Sequence, residues 1–405
     1  MSFEKSSTIK MTQNQRFYSI DILKGLSVLL MLFAGALYLP AKLPRFVSPE
    51  TTGTISAITS FIITGFIFTY GMTIPFSITK KINNGLTSYD ISRSIFGRAI
   101  VLIAIGLLMV NTYRVNAELT GFNSCIWSIL MFTSIFLVWN RYTEGENNFF
   151  TIIGFRFLGL ALIVFLVFKF KSGSFENGGS LITGWWEIPG LIGWGYLVAA
   201  FSYLAFRNSL PGTFMVWIIF LILSILHQLK LTEFIEPVRP YLGVVTDGNI
   251  PFIMLTGQMT GILVKKFFHP EISKTFYRIM AFGLFSALLG IGLKFFIQEP
   301  AGSQNPAITL IFTGIWIFIF LFLFWLTDVK MYFSLFAFLK PAGENIMTTY
   351  LFPYLIYNLI WLAGIPVFFY RQYGTISTIA GSAILAIVMM LISTLIIKLN
   401  IRLKI

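Results

Sequence analysis

Twelve long apolar runs separated by short polar breaks leave this chain little choice of fold. The runs fall at residues 20–39, 54–78, 95–111, 124–140, 150–169, 187–206, 211–229, 248–267, 276–297, 306–327, 344–364 and 375–398. A bilayer core needs roughly 20 apolar residues to be crossed as helix. Lipid offers no partner to a backbone amide, so a span must satisfy its own hydrogen bonds. A membrane barrel would instead show short alternating segments, and these runs are continuous. Composition agrees: 56% of the 405 residues are hydrophobic and only 11% charged, too few to clothe a water-soluble surface. The expectation is an all-α, polytopic transmembrane helical bundle of about 11–12 spans, a single transmembrane domain covering 1–405. Residues 1–19 form a polar tail before an uncleaved signal-anchor. Residues 331–343 begin with an apolar stretch too short to span, suited to lying along the membrane surface.

The net charge of +13 does not indicate a nucleic-acid partner, because the basic residues sit in the gaps between spans rather than on one polar face. With the N-terminus inside, 19 of the 29 Lys and Arg lie on the inner side and nine on the outer, with Arg156 inside a span. That bias fixes orientation by the positive-inside rule, with both termini cytoplasmic. One missed span would invert every later loop and erode it. The lone Cys125 excludes an internal disulfide and a Cys-based metal site. His227 and His269 are far apart, so no metal is expected.

Polar residues within spans are costly and mark where chemistry could sit. Asp21 and Lys24 open the first span three residues apart, on one helix face. They serve either function or helix-end electrostatics with a snorkelling lysine. Arg156 reads as structural. Trp185, Trp186 and Glu187 open the sixth span, with Trp194 two turns deeper. Indoles beside a carboxylate suit a sugar, or they form an interfacial belt with a helix-start acid. Asp247 and Asn249, in Asp247-Gly248-Asn249-Ile250-Pro251, begin the eighth span as an ordinary helix start, and Gln258 lies near mid-membrane. Glu344, Asn345, Thr348 and Thr349 crowd the first two turns of the eleventh span, more than capping requires. They suggest a hydrated inner cavity bordered by spans 1, 3 and 11. The close glycines Gly190, Gly193 and Gly195 indicate tight helix packing.

Phe17-Tyr18-Ser19-Ile20-Asp21-Ile22-Leu23-Lys24-Gly25-Leu26 resembles the opening of the heparan-α-glucosaminide N-acetyltransferase-like membrane proteins. The branch it most resembles is bacterial, labelled as related to N-acetylglucosamine transport and otherwise of unknown function. Further similarities follow in order. They are Gly71-Met72-Thr73-Ile74-Pro75-Phe76-Ser77-Ile78 with Lys80-Lys81, then Arg98 with Leu102 and Gly106-Leu107-Leu108, then Asp247-Gly248, then Pro341-Ala342-Gly343-Glu344-Asn345.

The resemblance implies acetyl transfer across a membrane, from cytoplasmic acetyl-CoA as cosubstrate to an amino sugar on the far side. It implies a cofactor site at Asp21, Lys24, Arg98, Glu344 and Asn345, with Lys80 or Lys81 nearby. The family's histidine in the outer loop before span 2 has no counterpart here: residues 38–51 contain none. His227, near the outer end of span 7, is the substitute to consider as catalytic residue. Trp186, Glu187, Asp247 and Asn249 are the substrate-binding candidates. The rival readings are a sugar or amino-sugar permease and a family member that binds without turnover. The partners expected are the lipid bilayer, a small amino sugar or related solute and, in one assembly, a second copy as a homodimer. The location expected is a bacterial cytoplasmic (inner) membrane.

Overall fold

The structure, a computed structural model, describes residues 17–38, 49–142, 149–173, 179–183, 186–267, 272–297 and 305–404. The tail before Phe17 and the loop 39–48 lie outside the described residues, as do Trp185 and His269.

Each of the twelve apolar runs lies on a helix. The helices are α1 (Tyr18–Tyr38), α2 (Pro49–Asn83), α3 (Ser88–Thr112), α4 (Ala117–Thr120), α5 (Ser124–Trp139), α6 (Phe149–Lys169), α7 (Glu187–Phe206) and α8 (Leu210–Gln228). They continue as α9 (Arg239–Thr246), α10 (Asn249–Phe267), α11 (Ile272–Lys294), α12 (Pro306–Phe324), α13 (Lys340–Glu344), α14 (Ile346–Leu362) and α15 (Thr375–Lys398). Among the described residues there are no strands, only two isolated bridges. Among the described residues, nine helices are long and apolar enough to cross a membrane. Of the other three runs, α5 and α14 are apolar but shorter, 16 and 17 residues. The third, α10, carries Thr256, Gln258, Thr260, Lys265 and Lys266 along its 19 residues. The chain is thus an all-α, polytopic integral membrane protein.

α10 is more polar because it is enclosed. From Phe252 to Val264 its residues are buried, with α2, α7 and α8 packed around it. Buried threonines on such a helix bond backward or across: Thr260 donates to the Thr256 carbonyl at 3.0 Å, and the Trp217 indole of α8 donates to the Thr256 hydroxyl at 2.7 Å. The outer helices show the opposite pattern. Phe150, Phe157 and Phe168 on α6 are exposed, as expected of a helix whose solvent is lipid.

Helix ends differ from the apolar runs where caps extend them. α3 starts seven residues before its run because Thr87 and Asp90 form a capping box, with the Asp90 N–H donating to the Thr87 hydroxyl at 3.2 Å. The glycines of α7 do allow close packing. A Cβ at Gly106 of α3 would overlap the Trp186 carbonyl, and one at Gly193 would crowd the Ala99 carbonyl. α3 and α7 therefore touch backbone to backbone.

Successive spans alternate direction, so both described ends of the chain share one face, here the terminal face. The C-terminal segment is fastened there: Arg402 N–H donates to Asn140 Oδ1 at 2.8 Å, and Leu403 N–H donates to Thr348 Oγ1 at 2.9 Å. On the opposite, far face, Asn111 clamps the loop before α7. Its amide donates to the Ile182 carbonyl and its oxygen accepts from the Ile182 N–H, at 3.1 and 3.0 Å.

Candidate functional site

Two sequence motifs more than three hundred residues apart meet on the terminal face. Asp21 is buried and pairs with Lys24 at 2.8 Å. The 341–345 segment lies directly against them, and it can do so only as glycine. A Cβ at Gly343 would overlap the Asp21 carbonyl, and one at Gly25 would overlap the Leu339 carbonyl. Asn345 turns its amide back to the Pro341 carbonyl at 3.2 Å, while Glu344 is exposed. Four of the five sequence-derived cofactor residues are therefore brought together. The fifth, Arg98, stands apart on the α3–α7 seam.

The same corner holds a residue that the pattern of apolar runs did not single out. At the end of α12 the helix loosens into a π turn, Trp325–Val329. Such turns recur at functional sites. This one aims Asp328 at the start of α1, where its carboxylate accepts from the Tyr18 and Ser19 N–H groups at 3.0 and 2.8 Å. These are helix-start donors with no intrahelical partner, so a carboxylate from far along the chain caps α1. The nearby Tyr18 ring stacks on Phe333 at 5.0 Å, and Lys340 Nζ lies 5.3 Å from the Tyr18 ring centre. The segment Phe333–Leu339 is a 3₁₀ helix with Phe333, Leu335 and Phe338 exposed.

Arg98 reaches inward from α3 and lies 4.9 Å from the Tyr196 ring centre of α7. Its Nε is buried with no hydrogen-bond partner, and no carboxylate pairs with it among the described residues. Tyr70 of α2 and Lys81 are within electrostatic reach. Lys81 bonds Ser94 on α3 at 2.5 Å. Beside them Lys265 donates to Tyr203 at 3.0 Å and to Asn208 at 3.2 Å, and also to Thr79. This is a cationic strip along α2, α3 and α10, distinct from the Asp21–Lys24 pair.

The far face carries two polar groups. The first joins His227 to Asp247. Arg239 Nη2 donates to His227 Nε2 at 2.9 Å, and His227 Nδ1 lies 3.2 Å from Thr232 Oγ1 and 3.5 Å from Asp247 Oδ1. Arg239 also bridges to Asp247 at 3.3 Å and to Glu236 at 2.8 Å. Burial pushes the Asp247 carboxyl above its ordinary value, with His227 and Arg239 pulling the other way. The loop encloses a cavity of about 320 Å³ lined by His227, Lys230, Thr232, Glu233, Glu236 and Arg239. The guanidinium occupies the lone pair that a histidine base would need. His227 is therefore better placed to fasten this loop than to take a proton. Asn249, buried at the start of α10, follows directly.

The second group lies at the start of α7. Trp186 is 5% exposed, so it is not the lipid-facing anchor the sequence suggested. Its indole packs edge to face with Trp194, 5.9 Å between centres, because the α3–α7 contact turns it inward. Neither indole N–H has a partner. Glu187 follows and makes no hydrogen bond or ion pair with His227, Asp247 or Asn249, so the four substrate-binding candidates form two clusters. On α14, Tyr350, Tyr354 and Tyr357 lie on one face, their rings in contact in sequence. Tyr350 and Tyr354 share a hydroxyl–hydroxyl bond of 3.2 Å. The i, i+4, i+7 spacing of these tyrosines was the signal available in the sequence.

Twelve apolar runs on helices, with a few polar and charged residues among them, define a polytopic membrane protein with polar sites near both faces. Within that class, residues 16–168 match the family described as Heparan-alpha-glucosaminide N-acetyltransferase, catalytic. Over this stretch, α1 to α6, the chain is similar to the heparan-α-glucosaminide N-acetyltransferase-like membrane proteins. Asp21, Lys24 and Arg98 lie inside the matched residues; α7, the Asp247 cluster and the 341–345 segment lie beyond them. No curated protein matches the chain.

Proposed function

We propose that the protein is a membrane N-acetyltransferase that takes acetyl-CoA at its terminal face and passes the acetyl group to an amino sugar presented at the far face. The terminal face is then cytoplasmic, and the membrane is a bacterial inner membrane. The observation that carries the reading is Arg98, a half-buried arginine whose Nε is buried with no hydrogen-bond partner and which has no carboxylate partner among the described residues. A guanidinium N–H buried without an acceptor is costly, and an anionic ligand would relieve that cost. A guanidinium suits phosphate oxygens in particular. Arg98 with Lys81 would hold the phosphates, while Lys24 is already engaged by Asp21 and with the 341–345 segment would shape the entrance. Acetyl-CoA supplies an activated thioester when bound; the chain's own residues orient it and keep water from it.

The test is acetyl transfer from labelled acetyl-CoA to glucosamine by the purified protein in liposomes. In Arg98→Ala the KM for acetyl-CoA should rise by about tenfold or more, a loss typical of one truncated charge-assisted contact. No transfer above background with several amino sugars would refute the proposal.

One observation favours a permease instead. Gln258 is fully buried near the middle of α10, with neither its amide nitrogen nor its oxygen bonded. A polar group left unsatisfied at that depth suits a solute passing through. Uptake of labelled N-acetylglucosamine into the same liposomes, without acetylation, would decide for that reading.

A further inference from the structure

The far-face cluster around Glu187 has the chemistry of an amine site. Glu187 opens α7 directly after the buried Trp186, whose indole packs on the half-buried Trp194, and the Tyr350–Tyr354 pair of α14 faces the same end of the bundle. The two tyrosines and the Tyr113 phenol at the end of α3 are within electrostatic reach of its carboxylate. No Lys, Arg or His pairs with Glu187 among the described residues, although the chain carries 29 Lys and Arg. A carboxylate held among rings without a cation is the arrangement that receives one from a ligand, by ion pairing and by contact with aromatic faces. Two donors point the same way. The Trp186 indole N–H, on a side chain only 5% exposed, has no acceptor, and neither has that of Trp194. Sugar hydroxyls would satisfy them. The backbone also holds Glu187 in an uncommon conformation. Its φ of 50° is left-handed for a non-glycine residue, a strain that usually persists where a side chain's aim matters.

We propose that Glu187 is the acceptor-side base of the transfer reaction, binding the ammonium group of an amine-bearing, hydroxylated acceptor and removing its proton. The inference rests on the transferase reading above and supplies the role that the first far-face loop, which has no histidine, leaves open. An ammonium is not a nucleophile. Glu187 accepts one proton from it, and the neutral amine attacks the carbonyl carbon of the acyl thioester. The C–N bond forms and the C–S bond breaks. The second proton lost by nitrogen goes to the departing thiolate, giving amide and free thiol. Glu187 then returns its proton to water, so one proton is released per turnover.

The experiment measures binding and turnover separately, with the full chain in nanodiscs. Equilibrium dialysis without acetyl-CoA compares labelled glucosamine with N-acetylglucosamine, which has no ammonium. Wild type should prefer glucosamine. Glu187→Gln, which keeps the shape and removes the charge, should bind glucosamine at least about tenfold more weakly while its affinity for N-acetylglucosamine changes little. Its residual transfer should lose the acidic limb of the kcat/KM pH profile. Equal binding of glucosamine by Glu187→Gln, or no preference for the amine in wild type, would overturn the proposal. If Glu187→Gln does not fold, Glu187→Asp serves. It should keep a weakened preference for the amine, and loss of that preference without loss of overall sugar binding would refute an ion pair. Amine binding that depends on Glu187 in a protein showing no transfer would refute the transferase reading and leave the site. Transfer at full rate in Glu187→Gln would do the reverse.

Discussion

At the scale of the residue, the bundle treats its buried charges in three ways. Asp21 and Lys24 neutralise each other within one helix turn. Asp328 is spent on the backbone of another helix. Asp247 is shared between an imidazole and a guanidinium in a far-face loop. The last case makes a prediction about pH. Burial holds the Asp247 carboxyl above its ordinary value of 3.8, and the attraction of Arg239 and His227 does not fully offset this. The folded state therefore binds a proton at a pH where the unfolded chain has already lost it. Stability that depends on this proton is present at acid pH and falls as pH rises through the folded pKa. In Asp247→Asn the group no longer titrates. Thermal unfolding in detergent from about pH 4 upward should show the wild type losing ground to the variant as pH rises, by a shift of the order of 1 kcal/mol for each pKa unit. A parallel pair of curves would show that Asp247 is not perturbed.

At the scale of the element, the short helix α13 explains why Pro-Ala-Gly-Glu-Asn reads as a motif at all. It is not a span start with surplus polar groups. It is a wedge whose glycine lies on the backbone of α1, between Asp21 and Gly25. Gly343→Val would force the two elements apart, because the clash is with backbone and no side chain can yield. Overpacking of this kind costs about 1–3 kcal/mol. The expected outcome is a lower Tm together with a raised KM for acetyl-CoA, while binding of glucosamine at the far face stays as in wild type. A change confined to the amine site would contradict this placement. The same region shows what the sequence could and could not reveal. The Asp21–Lys24 pair was legible, since helical spacing alone puts both side chains on one face. The glycines of α7 were legible as packing positions for the same reason. That Asp328 caps α1 was not, because a cap contributed from another helix leaves no periodic trace. The separation of Arg98 from Asp21 was equally hidden: both lie in the same matched stretch, but only the packing of α3 on α7 decides which way Arg98 points. Which of its two readings, sugar contact or interfacial belt, Trp186 follows was hidden for want of that same contact.

At the scale of the whole molecule, the alternation of twelve spans places residues 83–88, 207–210 and the C-terminal segment at one end and residues 112–124, 229–248 and 363–374 at the other. The packing establishes which loops share a face, but only the charge bias orients that face in the cell. The cationic strip of Lys81, Arg98 and Lys265 suits a cytoplasmic nucleotide, and the Glu187 cluster suits an acceptor on the opposite side, so orientation and function stand together. Single-cysteine labelling tests both. In a Cys125→Ser background, Ala117→Cys, in an exposed turn on the far face, should react with a membrane-impermeant maleimide added to intact cells. Asn84→Cys, exposed on the terminal face, should react only after the membrane is opened. The reverse pattern would put the basic face outside, against the positive-inside rule, and would remove acetyl-CoA as donor, because the arginine meant to hold its phosphates would then be approached from the side where no cytoplasmic nucleotide is found. Labelling of both positions in intact cells would mean that α3 (Ser88–Thr112), the one span between them, does not cross.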